Sequence, residues 1–495
     1  MNVLDRESIE DLVGGLLGQP WIIDLFTELG QRQAASTALI ESLRRVDVTS
    51  PVFWPFHAPQ QPLAVTKAHG SRIEDADGNS YLDLHLGWGA QALHGHSPEP
   101  VVSYVAERLA AGPGNGYFHP VELELATLLA GMLPHCEKFA FFNSGTDATS
   151  AAIRLARAHT GKRMVARVEG SLHGVHDIAA HNTAFWYHGN PIVPFPEPRA
   201  DGSIPAVPAL AGVHPADPAD LLVLPHNDER AFELIKRHRG QLACVIAEPV
   251  GSGFPFEDQA LPFTRGLART CRDLRVPFVL DEVLTGFRCG LGGAAAAHDI
   301  PADLFTYGKV LTGLGLPLSA LGGRADMLDV AQTSGLALTD FGAKSCLNTT
   351  HMGNYLSLCA SLASLTLLKD KGAAYYTATR AKVTRLRDGI AAFRAATGIP
   401  LRLVGFGDFI GAIGFLPDRE FSDYRDFARS INPIGLFLLT LLLRRRGVYT
   451  FSMPMIFTGG AHDDADIDQL LATLTECSLE MHRNGFPFLL ADDQR

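Results

Sequence analysis

Three groups of residues could do chemistry together, because each comes directly after a short apolar run of the kind that forms a buried strand. Asn143–Thr146 precedes a helical pattern, so its backbone N–H groups would face an anion such as a phosphate. Asp281 ends the run Val276–Leu280, where a carboxylate could keep the nitrogen of a buried heteroaromatic ring protonated. Lys309 follows Leu304–Gly308, and its amine could form an imine with a carbonyl compound.

Each of these signals also has an ordinary structural explanation. A small-residue turn before a helix is usually a cap, an acid at a strand end is often satisfied by local hydrogen bonds, and most lysines are solvated surface charges. All of them nevertheless follow predicted strands, and ligands of mainly parallel sheets bind beyond the carboxyl ends of the strands. This shared position makes them candidates for one binding site. Glu248 follows another apolar run and joins the same set.

The elements that would position these residues are those of an α/β fold. From Glu99 onward, short apolar runs alternate with helical stretches, which predicts a mainly parallel sheet with helices on both faces. The predicted strands are Phe139–Phe142, Met164–Val168, Cys244–Ala247, Pro277–Leu280, Leu304–Thr306 and Leu318–Leu321. Ser71–Asp75 and Ser80–Leu84 flank Asp77-Gly78 and predict a hairpin, while the tail after Met352 reads as helix-rich.

The first fifty residues have apolar side chains at helical spacing, which predicts two short amphipathic helices. We interpret them as an arm packed on the main body or on a partner subunit, and a dedicated docking module is the alternative. A continuous apolar run, Pro433–Leu443, is too short to span a bilayer and ends in Arg444, Arg445 and Arg446. It predicts a buried helix with a solvated arginine end.

Composition excludes several classes of protein. The chain has 495 residues, is 46% hydrophobic and 19% charged, and its net charge of -11 is not gathered into a basic face, which argues against nucleic-acid or membrane partners. The seven cysteines are scattered without C-x-x-C spacing, which argues against a disulfide framework and against a metal site. Because the N-terminus lacks the pattern of a secretory signal, we expect reduced thiols and a cytoplasmic protein.

Four stretches, in this order, resemble the class III aminotransferases, and most closely their glutamate-1-semialdehyde aminomutase branch. They are FFNSGTDATSAAIRLARAHTGK (Phe141–Lys162), AEPVGSG (Ala247–Gly253), FVLDEVLTGFR (Phe278–Arg288) and PADLFTYGKVLTGLGLPLSALGGR (Pro301–Arg324). Weaker likeness extends from about residue 50 to residue 469. The resemblance implies pyridoxal 5'-phosphate (PLP) as cofactor and the PLP-dependent transferase fold type I.

In that fold a large domain with a mainly parallel seven-stranded sheet, covered by helices, is accompanied by a small α+β domain built from both chain ends. For this chain the resemblance predicts a helical arm at 1–48 and an N-terminal part of the small domain at 49–98. The large PLP-binding domain would cover 99–350, and the C-terminal small domain 351–495.

The resemblance also implies roles for single residues. Lys309 would be the Schiff-base lysine, with its freed amine as general base, and Asp281 would pair with the pyridine nitrogen. Ser144, Gly145 and Thr146 would bind the cofactor phosphate.

Four further residues fall at positions where the family keeps cofactor contacts. Val283 would pack on one ring face, and Asn227 and Glu248 would be polar residues near the cofactor. Thr350 would reach the phosphate of the neighbouring subunit, so that a homodimer completes the active site.

The chain departs from the family pattern at two places. In SLHGVHD, Leu172 stands where the family has an aromatic residue, which forfeits about 0.5–1.5 kcal/mol of stacking, and His173 is an alternative ring contact. Phe53 stands where the aminomutase has an arginine that grips the substrate carboxylate. Together with Trp54 it favours an apolar, aryl or carrier-tethered acyl substrate, although both rings could instead pack against the hairpin.

Three functions remain open at this point. An aminotransferase would move an amino group from a small-molecule donor to a keto or aldehyde acceptor in a biosynthetic pathway, with a carrier protein as one source of the acceptor. An aminomutase or racemase would keep both half-reactions on one molecule. A non-catalytic PLP-fold interaction protein is disfavoured because Lys309 and Asp281 are both present, and loss of the arginine favours the first function.

Overall fold

The computed structural model describes residues 14–489 apart from 16, 50–62, 113, 115, 184–194, 218, 407–409 and 451–454. Its helices are Pro20–Arg32, Ala34–Leu43, Glu99–Ala110, Pro120–Met132, Gly145–Thr160, Arg230–His238, Glu257–Leu274, Gly293–Ala297, Ala325–Leu328, Ala337–Asp340, Tyr355–Thr397, Tyr424–Ser430, Pro433–Arg445 and Asp464–Arg483, with a 3-10 turn at Lys309–Thr312. Its strands are β1 Val65–His69, β2 Arg72–Asp75, β3 Ser80–Asp83, β4 Lys138–Phe142, β5 Met164–Val168, β6 Leu221–Leu224, β7 Leu242–Ala247, β8 Phe278–Glu282, β9 Leu304–Tyr307, β10 Ser319–Gly323, β11 Leu401–Phe406, β12 Ile410–Phe415, β13 Val448–Tyr449 and β14 Met455–Phe457.

The central sheet has seven strands in the order β4-β10-β9-β8-β7-β5-β6. β10 is antiparallel to both of its neighbours, whereas the pairs β9/β8, β8/β7, β7/β5 and β5/β6 are parallel. The predicted mainly parallel, seven-stranded fold is therefore confirmed. The six strands predicted from apolar runs all form, while β6 was missed because its four apolar residues follow a proline-rich segment.

Both faces of the sheet are buried, which explains why its strands are continuous apolar runs. Val165 and Val279 belong to the core on one face with the helix Gly145–Thr160. Ala166 and Leu280, the next residues along the same two strands, belong to the larger core on the other face. This alternation places successive side chains at the strand ends on opposite faces of the sheet.

Two smaller sheets are built from sequence-distant segments. The order β1-β2-β3-β13 brings a strand from near residue 448 beside the N-terminal hairpin, and β11-β12-β14 forms the other sheet. The predicted hairpin is confirmed, since β2 and β3 are antiparallel. The N-terminal helix Pro20–Arg32 packs on the main body, because Ile22, Leu25 and Leu29 share a core with Leu438 and Leu442.

The prediction of a solvated arginine end for the helix Pro433–Arg445 is wrong. Arg444 is 3% exposed and its guanidinium lies 5.4 Å from the centre of the Tyr449 ring. Arg446 donates to Glu480 at 2.5 Å. The reason is that the chain turns directly from this helix into β13, so the helix end faces the body of the protein.

Within the part of the chain that the structure describes, no single helix has the length and apolar composition needed to cross a membrane. One bent pair, Tyr424–Ser430 with Pro433–Arg445 at 64°, passes the same test by length and composition alone.

Candidate active site

A cavity of about 440 Å³ opens beyond the carboxyl ends of β4, β7, β8 and β9, where the strand-end residues were predicted to meet. The described residues that line it are Ala90, Asn143, Ser144, Gly145, Thr146, Thr149, Leu172, His173, Gly174, Val175, Glu248, Ser252, Asp281, Val283, Leu284, Lys309, Gly315, Leu316, Pro317 and Leu318. The sheet thus brings together the predicted anion-binding turn, the acids and the lysine in one place.

Lys309 reaches the cavity from the first position of the 3-10 turn that follows β9. Its backbone has a φ of 45°, a left-handed conformation that costs a non-glycine residue free energy and is common at functional sites. Burial lowers the pKa of its amine, the positive charge of Arg288 lowers it further, and the charges of Asp281 and Glu248 oppose both effects. A lowered pKa increases the fraction of neutral amine, which is the form that can attack a carbonyl or accept a proton.

Asp281 is 3% exposed at the end of β8 and is held by three hydrogen bonds. One carboxylate oxygen lies 2.7 Å from Nδ1 of His173, and the other accepts from Thr306 Oγ1 at 2.7 Å and from the Val283 N–H at 3.1 Å. Burial alone would raise the pKa of Asp281, but the hydrogen bond and charge of His173 together with the other donors outweigh it and lower the pKa. A charged carboxylate that is shielded from solvent in this way is suited to hold a proton on a ring nitrogen.

His173 is buried at 2% exposure, and its second ring nitrogen, Nε2, has no hydrogen-bond partner within the described structure. Because Asp281 is the acceptor at Nδ1, that nitrogen carries the proton in the arrangement that satisfies the pair. The histidine therefore orients Asp281 and also lines the cavity itself.

The predicted anion-binding turn forms the start of the helix Gly145–Thr160. Ser144 is its N-cap: the Ser144 hydroxyl accepts from the Asp147 N–H at 3.2 Å, and the Asp147 carboxylate accepts from the Ser144 N–H at 3.1 Å. The N–H groups of Gly145 and Thr146 lie at the helix start, where no intrahelical acceptor exists. Glycine is required at 145, because a Cβ there would lie 2.9 Å from Cγ1 of Val283 on the facing wall.

Glu248 ties two segments of the wall together. Its carboxylate accepts from the Leu172 N–H at 2.9 Å and from the Ser252 N–H at 3.0 Å, and the Ser252 hydroxyl also donates to it. Burial raises the pKa of Glu248, and the charge of His173 opposes that shift. Leu172 is fixed at the cavity wall by this contact, and Val283 lines the cavity as well.

Other predicted site residues are not brought into the cavity. Asn227 donates from its amide to the Ser422 carbonyl at 2.8 Å and does not line the cavity. Thr350 lies in an exposed turn before the helix Tyr355–Thr397, away from the cavity of its own chain. Phe53 and Trp54 lie outside the described residues.

Sequence reasoning missed several residues of the site. Ser252 and Thr306 stand inside the motifs AEPVGSG and FTYGK, where a hydroxyl beside a strand end is a usable signal. Ala90 and Thr149 also line the cavity, but an alanine and a mid-helix threonine have no side-chain pattern that separates them from structural residues.

Comparisons with known proteins agree with this geometry. The family model described as "Aminotransferase class-III" matches residues 55–471. A glutamate-1-semialdehyde 2,1-aminomutase of Persephonella marina is 32% identical over 434 residues, which cover 87% of this chain and 94% of that protein. An omega-transaminase from Sphaerobacter thermophilus superposes with a TM-score of 0.80 at 26% identity, covering 90% of this chain and 98% of that one. A structure described as "Transaminase with PLP bound" has the same fold, with a TM-score of 0.76 at 21% identity over 92% of this chain and 99% of that one.

Proposed function

Because the chain belongs to the class III aminotransferase family, whose members are PLP-dependent enzymes, we propose that it moves an amino group from a small-molecule donor to an apolar, aryl or carrier-tethered keto or aldehyde acceptor. The observation that carries this proposal is the meeting of Lys309 and Asp281 at one cavity. A cytoplasmic location, a homodimer and a role in biosynthesis stay proposals that rest on the sequence.

The residues present fit the cofactor. The cavity offers a buried carboxylate whose pKa is lowered, an amine whose pKa is lowered, and a helix start, which match a ring nitrogen, an aldehyde and a phosphate respectively. When bound, PLP supplies an electron sink for the carbon that loses its proton.

The chain's own residues divide the remaining work. Lys309 would hold the cofactor through its amine, and the same amine, when free, would move the proton at the reacting carbon. Asp281 would keep the ring nitrogen protonated, supported by His173 and Thr306. Ser144, Gly145 and Thr146 would hold the phosphate.

Hydrophobic side chains complete the active site around the cofactor. Leu172 and Val283 lie on the cavity walls, where they would cover the two ring faces and exclude water. Thr350 of a second copy would complete the phosphate site, which makes the homodimer part of the proposal.

The rest of the cavity wall favours an apolar acceptor. Ala90, Leu284, Leu316, Pro317 and Leu318 make it apolar. Among the described lining residues, Lys309 and His173 are the only ones that can carry a positive charge, and His173 is paired with Asp281, so this wall offers no arginine for a substrate carboxylate. Phe53 and Trp54 would extend the same apolar character.

A second candidate function is a glutamate-1-semialdehyde-type aminomutase. It is favoured by the identity of the relatives, of which the Persephonella marina protein is 32% identical over almost its full length. It is disfavoured by phenylalanine at position 53, where the sequence resemblance places the carboxylate-binding arginine of the aminomutase. An amino-acid racemase shares the same proton chemistry at Lys309 and has no separate observation in its favour.

The test is the absorption spectrum of purified protein with PLP, before and after a panel of amino donors, for the wild type, Lys309→Ala and Lys236→Ala. Lys236 is an exposed lysine paired with Glu233, so its loss should change nothing. We expect a visible cofactor band in the wild type and in Lys236→Ala that is lost in Lys309→Ala. An amino donor should reduce this band in the wild type. A wild-type protein without any cofactor band would overturn the proposal.

A labelled donor separates the two candidate functions. With a ¹⁵N-labelled donor and an apolar aldehyde or ketone, an aminotransferase places the label in the product. An aminomutase instead isomerises unlabelled glutamate-1-semialdehyde and incorporates no donor nitrogen. Mass spectrometry of the product distinguishes these outcomes.

A further inference from the structure

A short helix from the C-terminal part of the chain is attached to the cavity wall from outside. We define the wall loop as Gly170–Gly174, which contains Leu172 and His173. The ring of Tyr424, the first residue of the helix Tyr424–Ser430, is packed against Gly170 at the start of this loop, since a Cβ on Gly170 would lie 2.7 Å from Tyr424 Cγ. Only a residue without a side chain leaves room for the ring at that distance.

The same ring is packed against a second wall segment. A Cβ on Gly253 would lie 2.7 Å from Tyr424 Cε2 and 2.6 Å from the Gly170 carbonyl oxygen. Gly253 directly follows Ser252, whose N–H and hydroxyl bind Glu248, and Glu248 also binds the Leu172 N–H. Tyr424 and Glu248 thus hold the same two segments at different points.

An ion pair between a partly buried arginine and a buried glutamate fixes the helix beside the loop. Arg425 donates from Nε and Nη2 to the two oxygens of Glu169, both at 2.8 Å, and their side chains are 15% and 2% exposed. Arg425 also donates to the Pro196 carbonyl at 3.0 Å. Removing one member of such a pair leaves a buried charge without its partner, so the two residues hold each other in place.

The loop is also held by a residue of the central sheet. Arg167 in β5 is 1% exposed and donates to the Ser171 carbonyl at 2.5 Å, one residue before Leu172. The position of Leu172 and His173 is therefore set by Arg167 together with Tyr424 and Arg425. Small displacements of such a loop change how a packed wall covers a ligand.

We propose that Tyr424 and Arg425 are positioning residues for the cofactor, which act through the wall loop by fixing Leu172 over the cofactor ring and His173 against Asp281. The proposal rests on the proposed role of the cavity as the PLP site. It assigns a part in cofactor retention to a segment more than 250 residues away from the loop, since Arg425 and Glu169 are 256 positions apart.

The experiment compares Tyr424→Ala, Tyr424→Phe, Arg425→Met and Gly253→Ala in the full-length protein loaded with PLP. Gly253→Ala is the converse change, because it keeps the tyrosine but leaves no room for its ring. Arg429→Met is the matched control: Arg429 lies on the same helix and over the same Phe195 ring as Arg425, at 5.4 Å, but its side chain is exposed and is not paired with Glu169.

Three readouts are independent of turnover: the rate of PLP release, the visible circular dichroism of the bound cofactor, and hydrogen exchange of the wall-loop amides in cofactor-free protein. Tyr424→Ala, Arg425→Met and Gly253→Ala should release PLP about 3- to 30-fold faster, change the dichroism and speed exchange in the loop. Tyr424→Phe, which keeps the packed ring, should release PLP more slowly than Tyr424→Ala, and Arg429→Met should stay within about 2-fold of the wild type.

The outcomes separate this proposal from the proposed function. Variants that fold, release PLP at the wild-type rate and keep its dichroism would overturn the positioning role while leaving the enzyme assignment intact. If Tyr424→Ala does not fold, Gly253→Ala and Arg425→Met decide the question. A wild-type protein that binds no PLP would overturn both proposals.

Discussion

Asp281 and Glu282 are consecutive residues at the end of β8, yet their side chains lie on opposite faces of the sheet in two different environments. Asp281 faces the cavity beside His173, and its pKa is lowered. Glu282 faces the opposite core, where it accepts hydrogen bonds from the Ala294 and Ala295 N–H groups and from the Thr285 hydroxyl. Burial raises the pKa of Glu282 to about 7, and those three donors oppose the shift.

The difference cannot come from burial, because the two residues are 3% and 0% exposed. Both carboxylates also accept three hydrogen bonds. Two charged neighbours distinguish them. The ionisable ring of His173 lies beside Asp281 and lowers its pKa, whereas Glu282 has no such partner among its donors and its pKa is raised further by the charge of Asp281. One face thus holds a carboxylate fit for a protonated ring nitrogen, and the other holds a structural acid.

The largest expected effect is on kcat/KM, when Asp281 and Glu282 are each replaced by the neutral amide and the two variants are compared. Asp281→Asn should lower kcat/KM for transamination by about 10²- to 10³-fold or more, because the ring nitrogen loses the charge that holds its proton. Glu282→Gln should stay within about 10-fold of the wild type, since it does not line the cavity. Steady-state kinetics with the best donor makes the measurement, and equal losses in the two variants would contradict the comparison.

The next effect is the pH dependence of the free energy of unfolding that Glu282 contributes. The folded-state pKa of Glu282, about 7, lies above its ordinary value of 4.5, so the stability that it contributes is complete below about pH 4.5 and is lost as the pH rises through about 7. This loss amounts to about 3 kcal/mol of unfolding free energy. Glu282→Gln has no proton to lose, so its unfolding free energy should rise relative to the wild type between about pH 5 and about pH 8.

Urea unfolding of the cofactor-free protein at those two pH values measures the difference. Glu233→Gln serves as the control, because Glu233 is an exposed carboxylate paired with Lys236. A gap between Glu282→Gln and the wild type that does not change with pH would show that Glu282 keeps one charge state throughout.

The smallest effect should come from removing the partner that distinguishes the two faces. His173→Asn should lower kcat/KM by about 10-fold, as expected for a residue that orients a group proposed to contact the cofactor. Without His173 the pKa of Asp281 rises, so the loss should deepen as the pH falls through the new value.

His159→Asn is the matched control, because His159 is an exposed histidine that lies 4.0 Å from Asp326 and does not line the cavity. The measurement is the acid limb of the pH profile of kcat/KM. If the acid limb coincides in the wild type and both variants, His173 does not control the protonation of Asp281.

Much of the fold and of the strand-end chemistry could be predicted from the sequence, because local patterns determine both. Apolar runs fixed the position of β8 and β9, and therefore of Asp281 and Lys309 at the sheet edge. The start of the helix Gly145–Thr160 was equally readable, since its cap, small residues and alanine-rich face are adjacent in the chain.

Contacts between distant segments could not be predicted in this way. Glu248 and the Leu172 N–H are 76 residues apart, and Arg425 and Glu169 are 256 apart, so no local pattern links them. Arg444 was misjudged for the same reason, because its burial depends on where β13 joins a sheet made mostly from the N-terminal hairpin. Asn227 was expected near the cofactor from its position in the family pattern, but its amide donates to the Ser422 carbonyl instead.

The order of strands in the central sheet has a consequence for synthesis of the chain. β10 lies between β4 and β9, and the Ser319 hydroxyl donates to the Ser144 carbonyl at 2.6 Å. A nascent chain can therefore not align the turn at 143–146 with Lys309 until residue 323, the end of β10, has left the ribosome. A chain stalled before that point leaves the edge of β4 open to aggregation.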